Sequence, residues 1–228
     1  MPPATTVGPR MATPDEPLRC AVLISGSGSG MEALVKAQRT QHLPHTTVLV
    51  LSNRADAHGL ERARSLDVPT AVVERMDESG QGRTREEHET LVLKQLELHE
   101  IEFVVLAGYM RLLSPHFLNR WQHRVVNIHP SLLPHFPGAH AHRDVLAAGT
   151  TISGCTVHLV DEGMDTGAIL GQCSVPVFSH DDEGSLSARV KIEEHRLYPT
   201  VLSWIAEGRV HLVNGKARVD GEPPLTVC

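Results

Sequence analysis

Arg19–Gly30 reads RCAVLISGSGSG, and the order of its two halves decides the fold class. Arg19–Ser25 is a continuous apolar run, the pattern of a strand covered on both faces rather than one with a wet side. Ser25-Gly26-Ser27-Gly28-Ser29-Gly30 then leads into a helical stretch from Met31 to about Arg39. Strand, glycine-rich turn and helix in that order open a parallel βα unit. The loop lacks the Gly-Lys-Ser/Thr of a nucleotide-triphosphate loop, and Ala33 or Leu34 stands where a dinucleotide fingerprint has its last glycine. Glycines let the backbone approach an anion, and a helix N-terminus offers free N–H groups, so a phosphate at Gly28–Gly30 is the expected guest. Without such a guest, the same loop reads as an ordinary strand–helix turn.

Working outward, short apolar runs and amphipathic stretches keep alternating. Thr46–Ser52 and Thr70–Glu74 read as strands with a helix, Ala57–Leu66, between them. A polar loop, Asp77–Arg83, precedes a long helix over Arg85–Glu100. Glu102–Ala107 and Arg124–Ile128 are further strands, separated by a short helix near Pro115–Arg120. After residue 150 two strand-like runs, Ile152–Val160 and Ala168–Val177, are joined by the turn Asp161–Gly167. A helix from about Gly184 to Glu207 follows, and Asn214-Gly215 reads as a terminal hairpin turn. The pattern predicts an α/β fold: a mostly parallel twisted sheet flanked by helices, Rossmann-like, with antiparallel strands added near the C-terminus. Residues 18–228 read as one continuous domain. Residues 1–17 hold five prolines and no apolar core, and read as a disordered tail.

Composition narrows the function classes. The 228 residues are 41% hydrophobic and 21% charged, ordinary for a soluble globular protein. A net charge of −6 argues against broad electrostatic binding to nucleic acid or to an anionic membrane. Cys20, Cys155, Cys173 and Cys228 are widely spaced with no Cys-x-x-Cys pair, which fits a reducing compartment and neither a disulfide framework nor a thiolate zinc site. No apolar run approaches the roughly 18 residues of a membrane span, and the start is not a secretory signal, so the cytoplasm is the expected location.

The sharpest chemical signal is Val125–Pro134, VVNIHPSLLP. Asn127 and His129 end an apolar strand at spacing i, i+2, so both point to one face, at the strand end where parallel sheets bind ligands. An amide can donate to a developing oxyanion, and an imidazole can transfer protons near neutral pH. Gly154–Gly167, GCTVHLVDEGMDTG, places three carboxylates in a turn, which by itself reads as solvated. His140-x-His142 has a metal-ligand look, but it lies in a Pro/Gly loop opening a helix, and proton chemistry at His129 is favoured over a zinc site. On the late helix, Leu186, Val190, Leu197, Val201 and Ile205 form one face, and Glu194 falls close to its centre. A carboxylate there is paired in the core or touches a ligand.

Together these segments resemble the phosphoribosylglycinamide formyltransferase family of folate-dependent formyltransferases, from about Leu18 to Gly208. The resemblance is carried by VLISGSGSG, SNRADAHGLERAR, VVLAGYMRLLSPHF, VVNIHPSLLPHFPGAHAHRDVLAAG, GCTVHLVDEGMDTGAIL and VPVFSHDDEGSLSARVKIEEHRLYP. It implies formyl transfer from 10-formyltetrahydrofolate to the primary amine of glycinamide ribonucleotide in purine biosynthesis. Folate would then be a consumed co-substrate, with no tightly bound cofactor and no metal. It implies a catalytic group of Asn127, His129 and Asp165. Asn127 and a protonated His129 would stabilise the oxyanion, and Asp165 would raise the His129 pKa. The ribonucleotide would meet Gly28, Ser29 and Gly30 through its phosphate, and Lys191, Ile192, Glu193 and Glu194. The folate would meet Arg85, Met110, Arg111, Leu112, Leu113, Asn127 and the turn Asp161, Glu162, Gly163, Met164 and Asp165. The implied division is a phosphoribosyl-binding half of about 18–120 and a catalytic, folate-binding half of about 121–228. Gly30 stands where many members have asparagine, and Ala168 where proline is frequent. Two other readings use the same residues: a formyltetrahydrofolate hydrolase and a non-catalytic phosphoribosyl-ligand sensor. The hydrolase family carries a further N-terminal domain, for which 17 leading residues leave no room. Expected partners are small molecules, not nucleic acid or membrane, and monomer and homodimer both remain open.

Overall fold

The computed structural model describes residues 4–77 and 79–224. In chain order the elements are β1 (Thr5–Thr6), β2 (Leu18–Ile24), α1 (Ser29–Gln41), β3 (His45–Ser52), α2 (His58–Ser65), β4 (Thr70–Val72), α3 (Arg85–Leu98) and β5 (Phe103–Leu106). Then come α4 (Pro115–Arg120), β6 (Val125–His129), α5 (Ala141–Ala147), β7 (Ile152–Leu159), β8 (Ile169–Pro176), α6 (Glu183–Ala206), β9 (Val210–Val213) and β10 (Lys216–Val219). Seven strands form one sheet in the order β4-β3-β2-β5-β6-β7-β8. The first five are parallel, and β7 and β8 join antiparallel.

The apolar run of β2 explains itself by its neighbours. Cys20, Val22 and Ile24 pack into a core with α1 and α6, and Ala21 and Leu23 into a second core with α3 and α4. Alternate side chains thus leave a strand with no wet face. α3 opens on a capping box between Thr84 and Glu87, and α6 on one between Asp182 and Ser185. α6 runs unbroken through Pro199. The Tyr198 hydroxyl beside it donates to Leu106 O at 2.7 Å, tying the helix to the end of β5. Asn214 and Gly215 hold φ of 51° and 74°, the two positive values that the hairpin turn requires.

One expectation is overturned. Residues 4–17 are ordered: β1 pairs with β9, which makes the terminal hairpin a three-stranded sheet. Val7 is buried, and Arg10 donates to both oxygens of Glu102 at 2.6 and 2.9 Å. Prolines lower the entropy that the chain loses on ordering, so one buried valine and one charge pair hold a segment whose composition reads as a tail. Residues 1–3 and Cys228 lie outside the described residues. Among the described residues, no helix is long and apolar enough to cross a membrane.

Candidate active site

β2 has β3 on one side and β5 on the other, so the chain leaves it in opposite directions and a crevice opens at the carboxyl ends of β2 and β5. The glycine loop lies there. Gly28 has φ 69°, and a Cβ on it would stand 2.5 Å from Gly59 Cα, so the loop rests directly on the first turn of α2. Gly28 supplies no side-chain cap to α1, which leaves the first N–H groups of the helix available to an anion. Ser25 Oγ donates to Asn53 Oδ1 at 2.6 Å and accepts from Met110 N at 2.8 Å, which joins the loop to the segment after β5.

Asn127 and His129 project from the end of β6, and the 131–138 loop and β7 close around them. His129 is 4% exposed, and its Nε2 donates to Phe136 O at 2.8 Å. Its Nδ1 lies 3.4 Å from Asp165 Oδ2. That is long for a hydrogen bond and leaves Nδ1 open to a third group. Asp165 holds φ 56°, and its Oδ2 also accepts from Gly138 N at 2.8 Å. Its Oδ1 lies 3.5 Å from His158 Nε2. His158 Nδ1 donates to Leu159 O at 2.8 Å, and Nε2 meets the Asn127 amide nitrogen at 3.3 Å. One carboxylate therefore sits between two imidazoles, with the amide beside the second.

Electrostatics bear on the proton that His129 carries before any substrate is bound. Burial is the largest influence on His129 and lowers its pKa, outweighing the Phe136 hydrogen bond and the Asp165 charge that favour protonation. The His158 ring beside it and the Gly138 N–H hold the Asp165 carboxyl down at about 2 against its burial. Near pH 7 the site thus pairs an ionised Asp165 with a neutral His129. Glu194, half-buried on α6, is pushed up to about 7 by burial, with Lys191 opposing.

The remaining expected residues fall in four places. Met110 and Leu112 are exposed beside the crevice, Arg111 is half-exposed and Leu113 is buried beneath them. In the 161–165 turn, Asp161 Oδ1 accepts from Gly163 N and Thr166 Oγ1, while Glu162 and Met164 are exposed. α1 packs against α6, which sets the glycine loop and the 191–194 stretch on the same helical layer. Within that stretch Lys191 and Ile192 are exposed, Glu193 and Glu194 are half-buried, and Glu193 pairs with Arg196 at 3.0 Å. Arg85 is exposed on the first turn of α3 and is not brought to the catalytic group; among the described residues it makes no side-chain hydrogen bond or ion pair. A cleft of about 430 Å³ opens beside that turn, lined by Asp77, Arg83, Glu87 and Leu91 among others, away from the imidazoles. It holds no acid–base pair of the kind around His129. Among the described residues no group of three or more His, Cys, Asp or Glu is arranged to hold a metal, His140 and His142 included.

Sequence reading missed His158 and the main-chain partners Phe136 O and Gly138 N. His158 stands inside the quoted TVHLVDEG motif, but its place comes from the pairing of β7 with β6, which sets it opposite Asn127.

An α/β sheet with an amide–imidazole–carboxylate group at its carboxyl edge defines the class. Residues 18–202 match the model of the formyl transferase family, and the chain belongs to that family. It is 40% identical over 211 residues to the phosphoribosylglycinamide formyltransferase of Escherichia coli (strain K12), covering 91% of this chain and 97% of that one. It is 45% identical over 198 residues to the trifunctional purine biosynthetic protein adenosine-3 of Drosophila pseudoobscura pseudoobscura, of whose length it spans 14%. Glycinamide ribonucleotide transformylase 1 from Symbiobacterium toebii has the same fold, with a TM-score of 0.84 at 40% identity over 89% of this chain and 94% of that one.

Proposed function

We propose that the protein transfers the formyl group of 10-formyltetrahydrofolate to the primary amine of glycinamide ribonucleotide, a cytoplasmic step of purine synthesis. The observation that carries this reading is the buried group in which Asp165 lies 3.4 Å from His129 Nδ1 and 3.5 Å from His158 Nε2, next to Asn127. The amine attacks the formyl carbon, and the carbonyl oxygen becomes an oxyanion. Asn127 Nδ2 donates to that oxyanion, a contact worth about 3–4 kcal/mol in comparable sites. The neutral His129 takes the surplus amine proton on Nδ1, where the imidazolium is stabilised by Asp165 and adds a second donor. The same proton then passes to N10 of the folate as the C–N10 bond breaks, so formyl and proton exchange places between the two substrates.

In this reading Gly28, Ser29 and Gly30 hold the ribonucleotide phosphate through main-chain N–H groups, and Glu194 meets a ribose hydroxyl or the amine. Met110–Leu113 and the 161–165 turn flank the folate ring, and the exposed Arg85 meets its anionic end. The test is to mix the protein with 10-formyltetrahydrofolate, with and without glycinamide ribonucleotide, in the presence of a chelator. Loss of the formyl group only when the ribonucleotide is present is the expected result. Loss without it would make the protein a hydrolase, and no loss in either mixture would make it a ligand sensor or a transferase for another amine.

A further inference from the structure

We infer that Ser131 is a positioning residue that decides which nitrogen of His129 carries the proton. The inference rests on the reading of His129 Nδ1 as the atom that accepts the amine proton. A carbonyl only accepts, so the contact to Phe136 O requires the proton on Nε2 and leaves Nδ1 empty when the ring is neutral. Everything then depends on where Phe136 O is held. Phe136 has φ 55°, in the left-handed region that a bulky residue occupies only when its surroundings force it.

The Ser131 side chain is in position to supply that force. It is fully buried, and its hydroxyl lies 2.6 Å from His135 O and 3.1 Å from Phe136 O, so one donor serves the two carbonyls on either side of the strained residue. Ser131 is itself held from below. Thr156 Oγ1 donates to Ser131 O at 2.6 Å and accepts from Leu133 N at 3.0 Å and Gln172 Nε2 at 2.9 Å. Thr156 stands directly opposite His129 in the β6–β7 ladder and opposite Gln172 in the β7–β8 ladder. Three strands thus brace the loop at the level of the imidazole. If Phe136 O moved away, the nearest acceptor for a ring proton would be Asp165 Oδ2 beside Nδ1. The proton would then occupy the atom that has to receive one.

The measurement is ¹⁵N NMR of the full chain labelled at histidine, with the His129 signals assigned by their loss in His129→Gln. The wild-type protein is expected to show a neutral ring protonated at Nε2 alone. Ser131→Ala should show about nine-tenths of the neutral ring as the Nδ1–H form, with kcat down about tenfold and ribonucleotide KM within about twofold. A wholly wrong tautomer is known to cost a His–Asp enzyme about 10⁴, so partial scrambling sets the smaller figure. Ser131→Thr keeps the hydroxyl and should keep the wild-type tautomer. Should Ser131→Ala fail to fold, Thr156→Val removes the next link and should move the populations the same way by a smaller amount. An unmixed Nε2–H ring in the variants that lose the link, or an equal shift in Ser131→Thr, would overturn the inference. A shifted tautomer in a protein that transfers no formyl group would leave Ser131 in its role and remove the transferase reading instead.

Discussion

The two sides of the crevice are built on opposite plans. The glycine loop offers main chain: free N–H groups at the start of α1, set close to α2 because neither Gly28 nor Gly59 has a side chain. The end of β6 offers side chains, buried and held by bonds from β7 and the 131–138 loop. A main-chain cradle grips a phosphate equally before and during reaction, whereas a tuned imidazole acts only as charge moves. Under the proposed function, the difference assigns a separate kinetic constant to each end: KM to the loop and kcat to the imidazole.

The hardest test of that division removes the chemistry and leaves the cradle. His129→Ala and Asp165→Asn should each lower kcat by about 10²–10⁴ while ribonucleotide affinity stays within about threefold. Near-normal turnover in both would end the assignment. Because burial holds His129 below its ordinary value of 6.5, wild-type turnover should fall only on the acid side of that value and stay level through pH 7–8. A steady-state pH profile reads this directly.

Glu194 lies between the two plans, a side chain that the proposed function assigns to the binding end. Its folded carboxyl titrates at about 7 against an ordinary value of 4.5, so unfolding releases a proton between those values. Stability is therefore full below pH 4.5 and is lost as pH rises through 7, by on the order of 3 kcal/mol. Glu194→Gln should gain on the wild type by on the order of 1–3 kcal/mol between pH 5 and pH 8 in urea melts, while ribonucleotide KM rises. A constant difference across that range would mean that the carboxyl is not desolvated.

Gly28→Ala breaks the cradle itself. The new methyl would meet Gly59 Cα at 2.5 Å on a backbone of φ 69°. The variant should lose about 1–3 kcal/mol of stability and raise ribonucleotide KM, with kcat for bound substrate little changed. A fall in kcat equal to that of His129→Ala would show that the two ends do not act separately.

The same contrast explains what could be read in the sequence. β2, the glycine loop and the end of β6 are local patterns, and a few adjacent residues reveal them: a continuous apolar run, a glycine repeat, two polar residues spaced i, i+2. Glu194 was legible from helical angle alone, and its half-buried place on α6 agrees with that angle. His158 was not, because its role comes from standing opposite Asn127 on an antiparallel neighbour 31 positions away. The neutrality of His129 was hidden for a related reason: the burial that outweighs Asp165 comes from a loop and a strand that the sequence does not place around it. β1 was missed because two threonines carry no pattern, and what orders them is a partner strand at the other end of the chain.

The smallest effect gives the finest test of the main-chain plan. Gly30 is the second residue of α1, and a Cβ built on it meets nothing within 4 Å, so an asparagine can be added there without moving the loop. Its amide would reach toward the same anion as the Gly30 N–H, and a single hydrogen bond to a charged group is worth about 1.5–3 kcal/mol before the side chain's ordering entropy is subtracted. Gly30→Asn should therefore lower ribonucleotide KM by about twofold to tenfold and leave kcat and the His129 pH profile unchanged. An unchanged KM would mean that the N–H groups already satisfy the phosphate, so that this side of the crevice is main chain in energy as well as in form. A changed kcat would mean that the phosphate grip also sets the amine's approach to the formyl carbon, and the two ends would then have to be treated as one device.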